Sequence, residues 1–377
     1  MLQIALLLRT MRIRGARSVA SSRSVASSRS RSSIAGPERS TLTVLLSFPV
    51  PREITNPYNV LLTSSLRALP DVTVLNFSWR TALLGQYDVF HSHWPENLVD
   101  GHSPLKKVVR QVFTLLLLAR LRITRTPIVR TVHNVERPRG ISRRAGWILD
   151  LIDRQTTFRI RLNTTTRIAP AAPFTTIRHG HYRDWFARYP AATVVPGQLG
   201  YAGLIRRYKG VETLVAAFRE TQSTHEGLSL RIGGNPSSPE LAGTVSVLAG
   251  GDDRISLTLR LVTDAELVDI ITSSELVVLP YRFMHNSGGT LAALSLARPV
   301  LVPDNAVNRA LADEMGPGWV HRYAGELTAQ HLTDTLTELE ANPPRHPADL
   351  RAREWNRTGR DHVDAYRQAR GLLHARK

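Results

Sequence analysis

Residues 197–219 read GQLGYAGLIRRYKGVETLVAAFR, and this stretch decides the fold. An apolar run at 199–205 has the length of a buried strand. A loop follows with Arg206, Arg207, Tyr208, Lys209 and Gly210. Val211, Leu214, Val215 and Phe218 then recur at helical spacing. A strand that feeds a basic, glycine-containing turn at a helix start suits an anion. Free main-chain N–H groups and the positive helix end favour phosphate there, and Arg206 and Lys209 add charge-assisted bonds.

Working outward, residues 276–303 read LVVLPYRFMHNSGGTLAALSLARPVLVP. The pattern predicts a buried strand at 276–279, a loop, a helix over 288–297 and a strand from Pro299. Asn286, Ser287, Gly288, Gly289 and Thr290 sit at that helix start. Small residues let main chain approach a phosphate, and Ser287 can cap the helix or bond a ligand. Upstream, TPIVRTVHNVERP at 126–138 predicts a strand ending at Thr131, with His133 just past its carboxyl end. YDVFHSHWPEN at 87–97 predicts a strand opening into His91, His93, Trp94 and Glu96. Ligands of open α/β sheets bind at such carboxyl ends. An aromatic beside a carboxylate and imidazoles suits sugar recognition and proton transfer. His91 and His93 lack the further ligands of a zinc signature, so no metal site is expected.

Strand and helix patterns alternate around these segments. Helices are expected over 57–69, 103–121 and 142–162, and strands over 72–77 and 88–90. After Pro196 strands recur near 199–205, 228–232, 255–259, 275–279 and 299–302. The alternation predicts two doubly wound, mostly parallel sheets. The expected domains are 41–190 and 191–345, followed by a C-terminal segment 346–377 whose helix spans 347–373 and carries Trp355 and Tyr366.

The 377 residues suffice for two substantial cores. No cysteine is present, which excludes disulfides and thiolate metal sites and fits a cytoplasmic protein. The formal charge of +18 favours anionic partners. Part of it lies in residues 1–40, with eight arginines, one acid (Glu38) and the tandem SVASSR at 18–23 and 24–29. Such low-complexity sequence builds no core and is expected to be a disordered tail. Its Arg/Ser-rich character is shared by transit peptides and by chains whose start is assigned too far upstream. The apolar run 2–8 lacks the flanks of a signal peptide. Between Ser103 and Arg130 lie seven basic residues and no acid, around the apolar run 112–118. That run is too short to span a bilayer. Two readings stay open for it: a buried α/β helix with solvated ends, or a helix lying on an anionic membrane.

The four segments, in this order, resemble those of GT-B glycosyltransferases of the family 4 type. The resemblance implies two Rossmann-like domains facing a cleft, with a C-terminal helix crossing back to the first. It implies glycosyl transfer from a nucleotide-diphospho-sugar to the hydroxyl of a saccharide or lipid-linked saccharide, as in bacterial exopolysaccharide or glycolipid synthesis. It places the donor diphosphate on Arg206, Lys209 and residues Asn286 to Thr290, and His133 against the transferred sugar. Glu96 is then the first candidate for a general base, with His93 behind it. No cofactor and no nucleic acid are expected, and contact with the inner face of the plasma membrane is. Two carboxylates of that family have no counterpart. Ala292 stands where a glutamate usually bonds the ribose, and Met284 or His285 near the position of the other. The donor stays open between GDP-mannose and a UDP-sugar. A sugar-nucleotide epimerase and a basic nucleic-acid binder stay open as alternative functions.

Overall fold

The computed structural model describes residues 41–51, 56–134, 140–223 and 227–375. The tail expected over 1–40 lies outside them.

Two six-stranded parallel sheets carry the fold. The first holds β1 (Leu42–Leu46), β2 (Val72–Asn76), β3 (Val89–Ser92), β4 (Ile128–Val132), β5 (Thr156–Arg161) and β6 (Phe174–Thr176), in the order β2-β1-β3-β4-β5-β6. The second holds β7 (Gln198–Ala202), β8 (Ser229–Gly233), β9 (Ile255–Thr258), β10 (Leu276–Val278), β11 (Val300–Pro303) and β12 (Val320–Tyr323), in the order β12-β11-β10-β7-β8-β9. Runs such as LTVLL and LVV are buried almost throughout, as strands covered on both faces must be. Strand order reverses between β1 and β3 in one sheet and between β7 and β10 in the other. Those two points are where open parallel sheets place their ligands.

One face of the first sheet packs on the helix Pro57–Arg67 and on the terminal helix Trp355–His374, through Tyr58, Leu62, Leu66, Trp355, Val363, Tyr366 and Ala369. The other face packs on Pro104–Ile123 and Arg143–Gln155. The terminal helix thus crosses back onto the first sheet. Two departures from expectation have local causes. The helix expected over 142–162 ends at Gln155, because TTFRIR (156–161) is β-branched and alternating, and buries Thr156, Phe158 and Ile160 as β5. The last helix starts at Trp355 rather than 347, because Ala348 and Leu350 are drawn into the core of the second sheet. Tyr182, Trp185 and Phe186, which precede β7, join that same core.

Two chain segments pass side by side between the sheets. His181 N donates to Arg353 O at 3.1 Å, Arg353 Nη1 donates to His179 O at 3.0 Å, and Trp355 Nε1 donates to His181 O at 2.6 Å. Arg353 is buried, and Glu314 holds it in a bidentate pair at 2.9 and 2.8 Å. Gly180 is obligatory here, since a Cβ would sit 2.4 Å from the Trp355 indole.

Candidate active site

At the β1/β3 switch point, His93 N donates to Ser47 Oγ at 2.9 Å. β3 delivers His91, Ser92 and His93, all buried. His91 is held on both ring nitrogens, by Tyr366 Oη at 2.7 Å and by Thr131 Oγ1 at 2.8 Å. His93 Nδ1 lies 3.0 Å from His133 Nε2, so a single hydrogen is shared between the two rings. His133 stacks on Trp94 at 4.1 Å and 18° and meets Tyr58 edge-on at 5.2 Å. Burial, reinforced by neighbouring histidines, pushes His91, His93 and His133 well below the ordinary imidazole range. Burial also takes His179 and His362 down to about 4. The cluster is therefore neutral at physiological pH, able to exchange hydrogen bonds without adding charge.

His93 itself is 1% exposed, and it reaches His133 rather than solvent. Glu96 opens the short helix Glu96–Val99, half-buried, and forms no ion pair with the described residues. It stands one residue beyond Pro95 on the loop that carries Trp94.

The β7/β10 switch point carries the basic turn. Gly210 adopts φ +65°, and a Cβ there would meet Pro280 O at 2.4 Å, so the turn packs directly on the end of β10. Arg206 Nη1 donates to Ile205 O and Asn235 O at 2.9 and 3.1 Å, which holds one edge of its guanidinium on main-chain carbonyls. The Lys209 ammonium lies 4.8 Å from the centre of the Tyr281 ring. Burial, with Arg206 nearby, pushes it down to about 8. Ser287 Oγ accepts from Thr290 N at 3.1 Å and so caps the helix Gly288–Ser295. A Cβ on Gly289 would lie 3.0 Å from Tyr281 Oη. Tyr281 thus sits between the cationic turn and the small-residue helix start.

The two halves meet through Asn286. Its Nδ2 donates to His133 O at 2.9 Å, and its Oδ1 accepts from Asn163 Nδ2 at 2.8 Å. His285 Nε2 bonds Thr166 Oγ1 at 2.7 Å beside it. A cavity of ≈ 340 Å³ lies at this junction, walled by Asn286, Ser287 and Thr290 on one side and by His179, Glu314 and Arg353 towards the crossing segments. Thr290 is buried, with its hydroxyl turned to Met284 Sδ at 3.9 Å.

The structure therefore brings His133 and His93 together, sets Asn286 against His133, and gathers Lys209 with Ser287 and Gly289 around Tyr281. Sequence reading did not find Tyr58, Asn163 or the placement of His362 and Tyr366. The last two had a signal: at i and i+4 they share one face of a helix otherwise rich in arginine, and that face is buried.

No protein-family model matches the chain. A GDP-mannose:glycolipid 4-beta-D-mannosyltransferase from Xanthomonas campestris pv. campestris is 47% identical over 334 residues, covering 88% of this chain and 93% of the relative. The chain belongs to this glycosyltransferase family. Two solved structures agree in fold. Sucrose-phosphate synthase from Thermosynechococcus elongatus superposes with a TM-score of 0.53 at 14% identity, covering 89% of this chain and 98% of that one. Anabaena HepE in complex with UDP and glucose gives 0.56 at 13% identity, covering 89% and 100%. The architecture is GT-B, and the enzyme transfers a sugar from a nucleotide sugar. Within this glycosyltransferase, Ala292 is 6% exposed in the core of the second sheet, and its methyl offers no group that could bond a ribose.

Proposed function

We infer that this glycosyltransferase moves mannose from GDP-mannose to the saccharide of a glycolipid, with inversion at the anomeric carbon. The observation that carries the reading is the 47% identity to the Xanthomonas mannosyltransferase across nearly its whole length. The site geometry accords with it. A β-mannoside made from an α-linked nucleotide donor needs a single in-line displacement. The acceptor oxygen forms a bond to the anomeric carbon as the bond from that carbon to the β-phosphate oxygen breaks. The electron pair leaves with GDP, and the acceptor proton passes to a base.

Arg206, Lys209 and the main-chain N–H groups at Ser287 to Gly289 would stabilise the charge on the leaving diphosphate. His133, neutral and held by His93 and Trp94, would face the transferred sugar. Glu96 would take the acceptor proton.

A glycolipid acceptor lies in a membrane, and the helix Pro104–Ile123 supports contact with one. Leu105, Val108, Val109, Val112, Leu116 and Ile123 form an outward apolar stripe; Leu105 is 74% and Ile123 81% exposed. Lys106, Lys107, Arg120 and Arg122 flank it. Among the described residues no helix is long and apolar enough to cross a membrane. An in-plane helix on anionic lipid is the arrangement that fits, each nearby cation contributing about 1 kcal/mol.

The test is a donor panel of GDP-mannose, GDP-glucose, UDP-glucose and UDP-N-acetylglucosamine with a membrane glycolipid extract, the product anomer being read by NMR. Turnover of GDP-mannose to a β-linked product is expected. Transfer from UDP-sugars alone, or an α-linked product, overturns the reading.

A further inference from the structure

A second cavity, of ≈ 640 Å³, opens at the carboxyl ends of β1 and β2, away from the basic turn. Phe48, Phe77 and Trp79 give it aromatic walls, and Asn97, Asp100 and His102 give it polar ones. The Trp79 indole is half-buried and fixed edge-on by Phe77 at 5.0 Å and by Phe113 at 5.3 Å. A rigid aromatic face beside amide, carboxylate and imidazole groups is the surface that recognises sugar rings. Its size falls within the range of ordinary ligand sites.

Three connections tie this cavity to the reacting centre and to the lipid side. Ser47, in its wall, is the residue whose hydroxyl accepts from His93 N. Asn97 and Leu98, also in its wall, directly follow Glu96. Arg110, the third link, belongs to the helix with the exposed apolar stripe. Its Nη1 donates to Asn97 O at 3.1 Å and Asp100 O at 2.7 Å. Thr114 Oγ1 and Gln111 Nε2 of the same helix bond Leu98 O and Val99 O at 2.9 and 3.3 Å. Phe113, which fixes Trp79, is on that helix too.

We propose that the Trp79 cavity is the acceptor subsite: it takes the sugar rings of the glycolipid, while the lipid runs along the Leu105–Val112 stripe. This rests on the transferase reading above. The helix that would lie on the membrane is stitched to the loop that carries Glu96, so a saccharide entering from the lipid surface reaches the base directly.

The experiment uses octyl β-glucoside, octyl β-mannoside and octyl β-glucuronide below their micelle concentrations, with octanol as the sugar-free control. Binding to the full chain is followed by saturation-transfer NMR. At least one glycoside should bind saturably and transfer through its ring protons. Trp79→Ala should weaken it about tenfold, the loss expected when an anchoring aromatic is truncated. Asn97→Trp, at an exposed position, should block the cavity without touching the core. GDP affinity by calorimetry is measured on all three proteins. It tests the donor side separately, and its retention in the variants shows that they are folded. Absence of saturable binding by all three glycosides, binding that octanol matches, or affinity unchanged in Trp79→Ala and Asn97→Trp overturns the proposal. Absence of GDP binding in the unaltered protein would instead strike at the transferase reading.

Discussion

Asn286 Nδ2 donates to the main-chain oxygen of His133 across the cleft at 2.9 Å. One side chain from the second domain thereby holds the loop on which the first domain presents its imidazole. Asn163 completes the link from the other side of the carboxamide. Closure of a transferase cleft excludes water from the donor. Asn286→Ala should loosen closure and raise donor hydrolysis relative to transfer. The check is the ratio of free mannose to glycosylated product; an unchanged ratio means that the bond is incidental.

His133 and Glu96 should separate cleanly in kinetics. His133→Ala should lower turnover strongly, with GDP affinity changed far less. Glu96→Gln should reduce transfer by about 10²–10⁴-fold, the usual effect of removing a general base, while sparing donor binding. Near-normal transfer by Glu96→Gln with a competent acceptor would remove Glu96 from the mechanism.

Half-buried Lys209 predicts a pH dependence. Burial takes Lys209 down to about 8, so its ammonium is charged below that pH and neutral above it. GDP affinity should fall as pH rises through about 8 and into the 9s, because a neutral amine attracts no phosphate. Lys209→Arg should flatten that limb, since guanidinium stays charged throughout. The double variant Lys209→Ala/Arg206→Ala should weaken GDP binding with the fold intact. Titration calorimetry at several pH values decides both points.

The histidine cluster predicts acid sensitivity. His179 and His362 titrate near 4 when folded and near 6.5 in an unfolded chain. Between those values the unfolded chain binds protons that the native one does not. Stability is therefore lost as pH falls from about 6.5 towards about 4. Urea midpoints should drop across that window, and less steeply in His362→Gln. Parallel slopes for the two proteins would exclude His362 as a contributor.

The apolar stripe predicts vesicle binding. Residues 41–377 should sediment with anionic vesicles at low salt and detach as salt rises, because exposed charges are screened. Lys106→Glu/Lys107→Glu should abolish the anionic preference, whereas equal sedimentation with neutral vesicles would reject an electrostatic contribution.

Much of this fold could be read in the chain because its strands are short apolar runs ending at chemistry-bearing loops. The Arg206–Gly210 turn announced a strand-to-helix corner through its loop residues and its glycine. The 103–121 helix was recognised, but not which of its faces is buried, because Leu117 and Leu116 look alike until a sheet covers one of them. β5 was missed because the helical pattern of Arg143–Gln155 runs straight into TTFRIR without proline or glycine. Asn286 could be placed at a helix start from sequence, but its carboxamide bonds join residues 123 and 153 positions away, which local pattern does not encode. The Tyr366–His91 bond spans 275 positions for the same reason.

That last contact bears on how the chain is made. Tyr366 and Ala369 lie in the core of the first sheet, whose final strand ends at Thr176. A ribosome adding about 5–20 residues per second needs roughly 10–40 s to go from one to the other. During that interval the hydrophobic face of the amino-terminal half is covered only in part, by Pro57–Arg67, while the second domain is synthesised and can fold first. The nascent protein should thus need chaperone protection over its earliest part. Versions that stop short of Tyr366 should leave that half unfinished even though every strand is present.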